Sequence, residues 1–143
     1  MNLTTRVVVT GMGIVSPIGI GLNPYWESLV HCKSGVGPIT LFDTSKVPLK
    51  IAAEVKNFDL RRILGNNCKP GRMGRQTQFA LVAGKMAIEN AGLSPGILRK
   101  SEPLSLVMGI CSAAVDVVEK GTETILNRGI RRVRPHLVGT CQP

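Results

Sequence analysis

Aromatic residues make up only 3% of this 143-residue chain: one Trp, one Tyr and three Phe. That scarcity argues against an aromatic-rich β-sandwich and leaves the core to Val, Ile, Leu, Ala and Met, as where helices pack on parallel strands. The expected class is α/β. No apolar run approaches the roughly 18 residues that a membrane span needs, and the start MNLTTRVVV has neither a signal-peptide core nor a small-residue cleavage site. A cytoplasmic chain with no membrane partner is expected. The four cysteines, Cys32, Cys68, Cys111 and Cys141, lie at least 30 residues apart with no C-x-x-C pair, which predicts reduced thiols and no metal site. Histidine is limited to His31 and His136. Acids are few: nine against 18 Lys and Arg, a formal charge of +9.

What is present suits one buried core, since 43% of the residues are hydrophobic. The positive charge is unevenly placed. Between Asp59 and Glu89 stand Arg61, Arg62, Lys69, Arg72, Arg75 and Lys85 with no acid, and after Glu123 stand Arg128, Arg131, Arg132 and Arg134 with none. Such segments suit an anionic partner, although a solvated basic surface is the alternative that charge alone leaves open. Interleaved aromatics and any nucleic-acid reading motif are missing, so nucleic acid is not the expected partner.

Along the chain, Val7 to Thr10 and Leu104 to Ile110 read as buried strands, being short apolar runs closed by turn residues, and Ile51 to Val55 reads as another. Asn23 and Pro24 predict a helix start, with a stop at Lys33-Ser34-Gly35. Asp59 caps a short helix through Leu64 that Gly65 ends. From about Arg75 to Ala91, Phe79, Val82 and Met86 with the small Ala80, Ala83 and Ala87 form a closely packing face, and Gly92 is the natural stop. A last helix runs from Val115 to Arg128 and meets Gly129.

The stretch RVVVTGMGIVSPIG, from Arg6 to Gly19, invites comparison with a phosphate-binding loop. Gly11 and Gly13 occupy the first two glycine places of G-x-G-x-x-G, but the third is Ser16, Pro17 follows, and the predicted helix begins only at Asn23. No G-x-x-x-x-G-K-[ST] exists either. No nucleotide or other cofactor is expected, and the glycines are read as serving close backbone packing.

The same stretch resembles the opening of the β-ketoacyl synthases, the condensing enzymes of fatty-acid and polyketide synthesis. The similarity continues through Asn23-Pro-Tyr-Trp-Glu-Ser-Leu-Val, through Lys33-Ser-Gly-Val-Gly-Pro-Ile-Thr with Phe42-Asp43, and through Met73-Gly-Arg-Gln-Thr-Gln-Phe-Ala-Leu, which is similar to the family's M-D-R-x-x-Q-F-A-L helix, to Ala91-Gly92-Leu93. The resemblance covers nearly all of residues 6 to 138. Three departures stand out: Gly74 for the family's aspartate, Gln76 for its aromatic, and Gly109-Ile-Cys-Ser-Ala-Ala114 for its glycine-rich strand end.

The resemblance implies the N-terminal half of a thiolase-like layered α/β fold, a mixed sheet with packed helices, with residues 1–143 as a single incomplete domain. It implies part of an acyltransferase acting by decarboxylative condensation, whose nucleophilic cysteine and two histidines belong later in the family sequence. No residue here is a catalytic candidate, and this chain alone is predicted inactive; a non-catalytic carrier-protein-binding module, or the product of a truncated gene, is the alternative. The implied partner is acyl carrier protein, a small acidic protein, met by Arg131 and Arg132, which match the family's basic pair, and by Arg72, which matches the basic residue before the methionine. Ser112, at the place of a pocket-gating isoleucine, is the acyl-pocket candidate. Self-association and pairing with a missing C-terminal half both stay open.

Overall fold

The computed structural model describes residues 6–94, 96–97, 105–111, 114–133 and 135. They fall into two compact units, one built from residues 1–58 and 83–100 and the other from 59–82 and 101–143. The division passes through the longest helix.

In the first unit, strands β1 (Val15–Ser16) and β2 (Gly19–Ile20) form a tight antiparallel hairpin, with Val15 opposite Ile20. Helix α1 (Leu22–Val30) follows at once, starting earlier than Asn23 because Gly21 takes the cap position, its N–H donating to the Ile14 carbonyl at 2.8 Å. Pro24 is tolerated in this first turn, where its missing N–H has no carbonyl to meet. The helix also ends earlier than expected. Cys32 adopts a left-handed conformation at φ 50° while the Lys33 N–H reaches back to the Ser28 carbonyl at 2.9 Å, a Schellman closure normally built on glycine. An exposed β-branchless side chain in that conformation still costs about 1–2 kcal/mol. Cys32→Gly is therefore expected to raise stability by about 0.5–1 kcal/mol after the glycine's extra unfolded-state entropy is subtracted; an unchanged urea midpoint would contradict the closure.

Strands β3 (Val36–Pro38) and β4 (Ile51–Ala53) form a second antiparallel pair, with Gly37 opposite Ala52. Only part of the predicted strand from Ile51 to Val55 is realised, and Glu54 follows directly after it. It is buried and takes three hydrogen bonds, from the Thr40 N–H at 2.9 Å, the Thr40 hydroxyl at 2.7 Å and the Leu41 N–H at 3.2 Å.

Helix α3 (Arg75–Asn90) bears out the sequence expectation, closing on left-handed Gly92 at φ 69°, with the Leu93 N–H on the Ile88 carbonyl. Its second half carries the glycine loop. A Cβ on Gly11 would meet the Ala87 carbonyl oxygen and come within 2.7 Å of the Ala91 Cβ; one on Gly13 would meet the Ala83 carbonyl oxygen and come within 2.8 Å of the Ala87 nitrogen. The alanines repeat every fourth residue, so they line the helix edge on which the loop lies. Asn90 completes the seat, its Oδ1 accepting the Met12 N–H at 3.1 Å.

In the second unit, Asp59 caps helix α2 (Leu60–Leu64) by accepting the Arg61 and Arg62 N–H groups at 2.9 and 3.3 Å, and Gly65 ends it, as the sequence predicts. Helix α4 (Val115–Arg128) keeps its predicted bounds. Leu60, Val82 and Ala114 are the buried apolar side chains among the described residues. Along α4 the buried position is Gly121, while Val115 and Leu126 are exposed.

Helices and small sheets agree with an α/β class, but the expected mixed sheet is not formed among the described residues, whose strands are the two antiparallel pairs. The reason lies in the two apolar runs. Residues 7–10 and 105–110 adopt no strand, since neither finds a backbone partner there, and Val7 and Val107 are 90% and 93% exposed.

Candidate functional site

The glycine loop is settled by its surroundings. A groove of about 360 Å³ beside it is lined by Met12, Leu22, Pro24 and Met86 with Asn90 and Glu89. Among the described residues its only charged lining group is an acid, the wrong sign for a phosphate, and Gly11 and Gly13 lie on helix backbone. The glycines serve packing.

The three arginines singled out from sequence all lie in the second unit, on short 3-10 turns. Arg72 ends the turn Pro70–Arg72, which is closed by the Arg72 and Met73 N–H groups donating to the Lys69 and Pro70 carbonyls at 3.0 and 3.1 Å. Gln78 then clamps this turn against α3, its Nε2 donating to the Pro70 and Met73 carbonyls at 3.2 and 3.1 Å. One turn of helix separates Arg75 from Phe79, and the guanidinium stands 4.9 Å from the ring centroid. Arg131 and Arg132 occupy the turn Ile130–Arg132 directly after α4, where Gly129 at φ 80° redirects the chain and accepts the Arg132 N–H at 3.1 Å. All three arginines are exposed, as is Lys69. Two hydrogen-bonded turns thus present cations at their exposed ends, an arrangement suited to meeting an acidic surface rather than to holding a small ion.

Two departures from the family pattern meet in space. A Cβ on buried Gly74 would come within 2.9 Å of the Gln76 side-chain amide oxygen and nitrogen. The Gln76 amide fills the space beside residue 74. Sequence reading noted both positions but had no means of pairing them.

Ser112, Arg134, His136 and Cys141 lie outside the described residues. Cys111 and Cys32 are both exposed. The Sγ of Cys68 contacts the Gly65 carbonyl at 2.8 Å. His31 closes on its own helix, with Nδ1 at 2.7 Å from the Glu27 carbonyl. Among the described residues no group of three metal-ligating side chains converges, and no helix is long and apolar enough to cross a membrane.

Sequence reading missed Glu54. Three hydrogen bonds hold its carboxyl below the usual glutamate range, the Thr40 hydroxyl contributing most and the Thr40 N–H next. The only sequence signal is an acid between apolar residues. Asp43 is likewise lowered, first by the Ser45 N–H and then by the Ser45 hydroxyl, at 2.9 and 2.7 Å.

Comparison with known proteins decides the family. The sequence profile described as "Beta-ketoacyl synthase, N-terminal domain" matches residues 4–143. The chain belongs to the β-ketoacyl synthase family. It is 35% identical over 133 residues to a 3-oxoacyl-[acyl-carrier-protein] synthase 2 from Synechocystis sp., covering 93% of this chain and 32% of that protein. The corresponding synthase of Staphylococcus aureus is 31% identical over 143 residues, covering all of this chain and 34% of its own length. Among solved structures, the ishigamide ketosynthase/chain length factor superposes with a TM-score of 0.82 at 31% identity, over 94% of this chain and 33% of that one. This β-ketoacyl synthase chain therefore spans about a third of the length of the relatives it matches.

Proposed function

We propose that this chain supplies the N-terminal, carrier-protein-facing part of an elongating β-ketoacyl synthase, within a thiolase-like fold of which residues 1–143 form one incomplete domain. In this reading the reaction is decarboxylative condensation of acyl groups delivered on acyl carrier protein, in the cytoplasm. The observation that carries it is the exposed pair Arg131 and Arg132 on its turn after α4, with Arg72 on a second clamped turn of the same unit, in a chain matched to the family over residues 4–143. The acyl-bearing cysteine and the histidines that stabilise developing negative charge belong to family sequence that this chain does not span. Its own residues bind and orient the acidic carrier. Gln78 positions Arg72 through the turn, and α4 positions Arg131 and Arg132.

Exposed charges at the rim of an interface act mainly on association rate and salt dependence. Arg131→Glu with Arg132→Glu is therefore expected to slow association with acyl carrier protein by roughly tenfold or more at low salt and to flatten its response to salt. Surface plasmon resonance over a salt series measures both. Equal binding by the double variant, or binding of duplex DNA as tightly as carrier protein, overturns the docking role.

A further inference from the structure

Gly74 is the joint between the turn that carries Arg72 and helix α3, since the turn Pro70–Arg72 gives way to Met73 and the helix begins at Arg75. Glycine has the least constrained backbone of any residue, so it makes a loose joint unless its surroundings confine it. Gln78 holds the two ends of this joint. Its Nε2 donates to the Pro70 and Met73 carbonyls, and its backbone N–H donates to the Gly74 carbonyl at 3.2 Å. The face of Gly74 on which a side chain would stand is closed by a different residue. A Cβ built there would come within 2.9 Å of both Oε1 and Nε2 of Gln76 and within 3.1 Å of its Cδ, and Gly74 is buried although it has no side chain of its own. Gly74 is not among the glycines at positive φ, so its backbone suits other residues as well. Occupied space, not backbone strain, is what distinguishes the position.

We infer that Gln76 is a positioning residue for Arg72: its amide stands in for the side chain that position 74 lacks, and by confining the glycine joint it fixes how the turn presents Arg72 to an acidic partner. The inference rests on the carrier-docking reading of Arg72. A backbone that is free before docking must be ordered on docking, and that entropy is subtracted from the affinity. A joint already confined by Gln76 avoids the loss. The same space can be filled from the other side, because an asparagine at 74 would push out only the far end of a flexible side chain and could itself cap α3.

The test therefore empties the space and refills it. Gln76→Ala removes the amide while leaving every arginine in place, and Gly74→Asn in that background restores a polar side chain without adding charge. Amide exchange at Arg72 and Met73, whose N–H groups close the turn, reads the joint itself. Exchange should be faster by roughly threefold or more in Gln76→Ala and return toward the wild-type rate in the double variant. Surface plasmon resonance with acyl carrier protein reads the consequence: binding weakened by roughly threefold or more in Gln76→Ala, recovered in the double variant, with the salt dependence unaltered because no charge has changed. Alanine is the better helix former, so a weakened α3 would not account for the loss. Arg72→Glu separates the inference from the reading beneath it. Carrier binding unchanged by Arg72→Glu, beside faster exchange in Gln76→Ala, removes the docking reading of Arg72 and upholds the hold of Gln76 on its turn. The positioning role is overturned by equal exchange in wild type and Gln76→Ala, by carrier binding that Arg72→Glu weakens and Gln76→Ala does not, or by a double variant as weak as Gln76→Ala.

Discussion

Gly13→Ala is expected to lower the stability of the isolated chain by roughly 3 kcal/mol, at the upper end of what overpacking costs. The added methyl would fall on the Ala83 carbonyl oxygen and within 2.8 Å of the Ala87 nitrogen, both backbone atoms of α3. A flexible side chain could swing aside at little cost, whereas helix backbone moves only if its own hydrogen bonds bend. The loop must therefore lift, which also strains the bond from the Met12 N–H to Asn90. Against a typical stability of about 5–15 kcal/mol, the loss is large enough to populate the unfolded chain. Gly84, one residue along the same helix, provides the internal control. No atom lies within 4 Å of a Cβ built there, so Gly84→Ala should add about 0.5–1 kcal/mol through helix propensity. Opposite signs from the two substitutions in urea unfolding are the expected result. A loss below about 0.5 kcal/mol for Gly13→Ala would mean that the loop does not rest on the helix.

The second large effect concerns Glu54. Glu54→Ala removes the acceptor for two backbone N–H groups and one hydroxyl in the segment that follows β3, and none of the neighbouring apolar side chains can replace it. The hairpin of β3 and β4 is expected to loosen, with the Thr40 and Leu41 amides exchanging roughly tenfold faster or more. The carboxylate also sets a pH dependence whose sign follows from its lowered pKa. Because the folded value lies below the ordinary 4.5, the stabilisation is fully present above about pH 4.5 and is lost as pH falls through the folded value. Glu54→Gln keeps one acceptor oxygen but cannot titrate, so its stability profile should lack this part of the acid limb. Superimposable acid limbs in wild type and variant would remove Glu54 from the pH response.

What the amino-acid sequence determined by itself is local. Asp59 and Gly65 bracket α2, Gly92 ends α3, and α4 runs from Val115 to Arg128, because caps, glycine stops and helical periodicity act within a few residues. The family motifs likewise pointed to Arg72, Arg131 and Arg132. Tertiary structure alone decided how these residues are held: that Gln78 clamps the turn bearing Arg72, that Gln76 fills the space beside Gly74, and that Gly11 and Gly13 lie on the alanine edge of α3. It also placed Glu54 on Thr40, 14 residues away, and left the two apolar runs unpaired among the described residues. The physical reason is range. A helix finds its hydrogen-bond partners within its own segment, whereas a strand has none until another segment arrives, so β-branched composition records a capacity for pairing but not the partner.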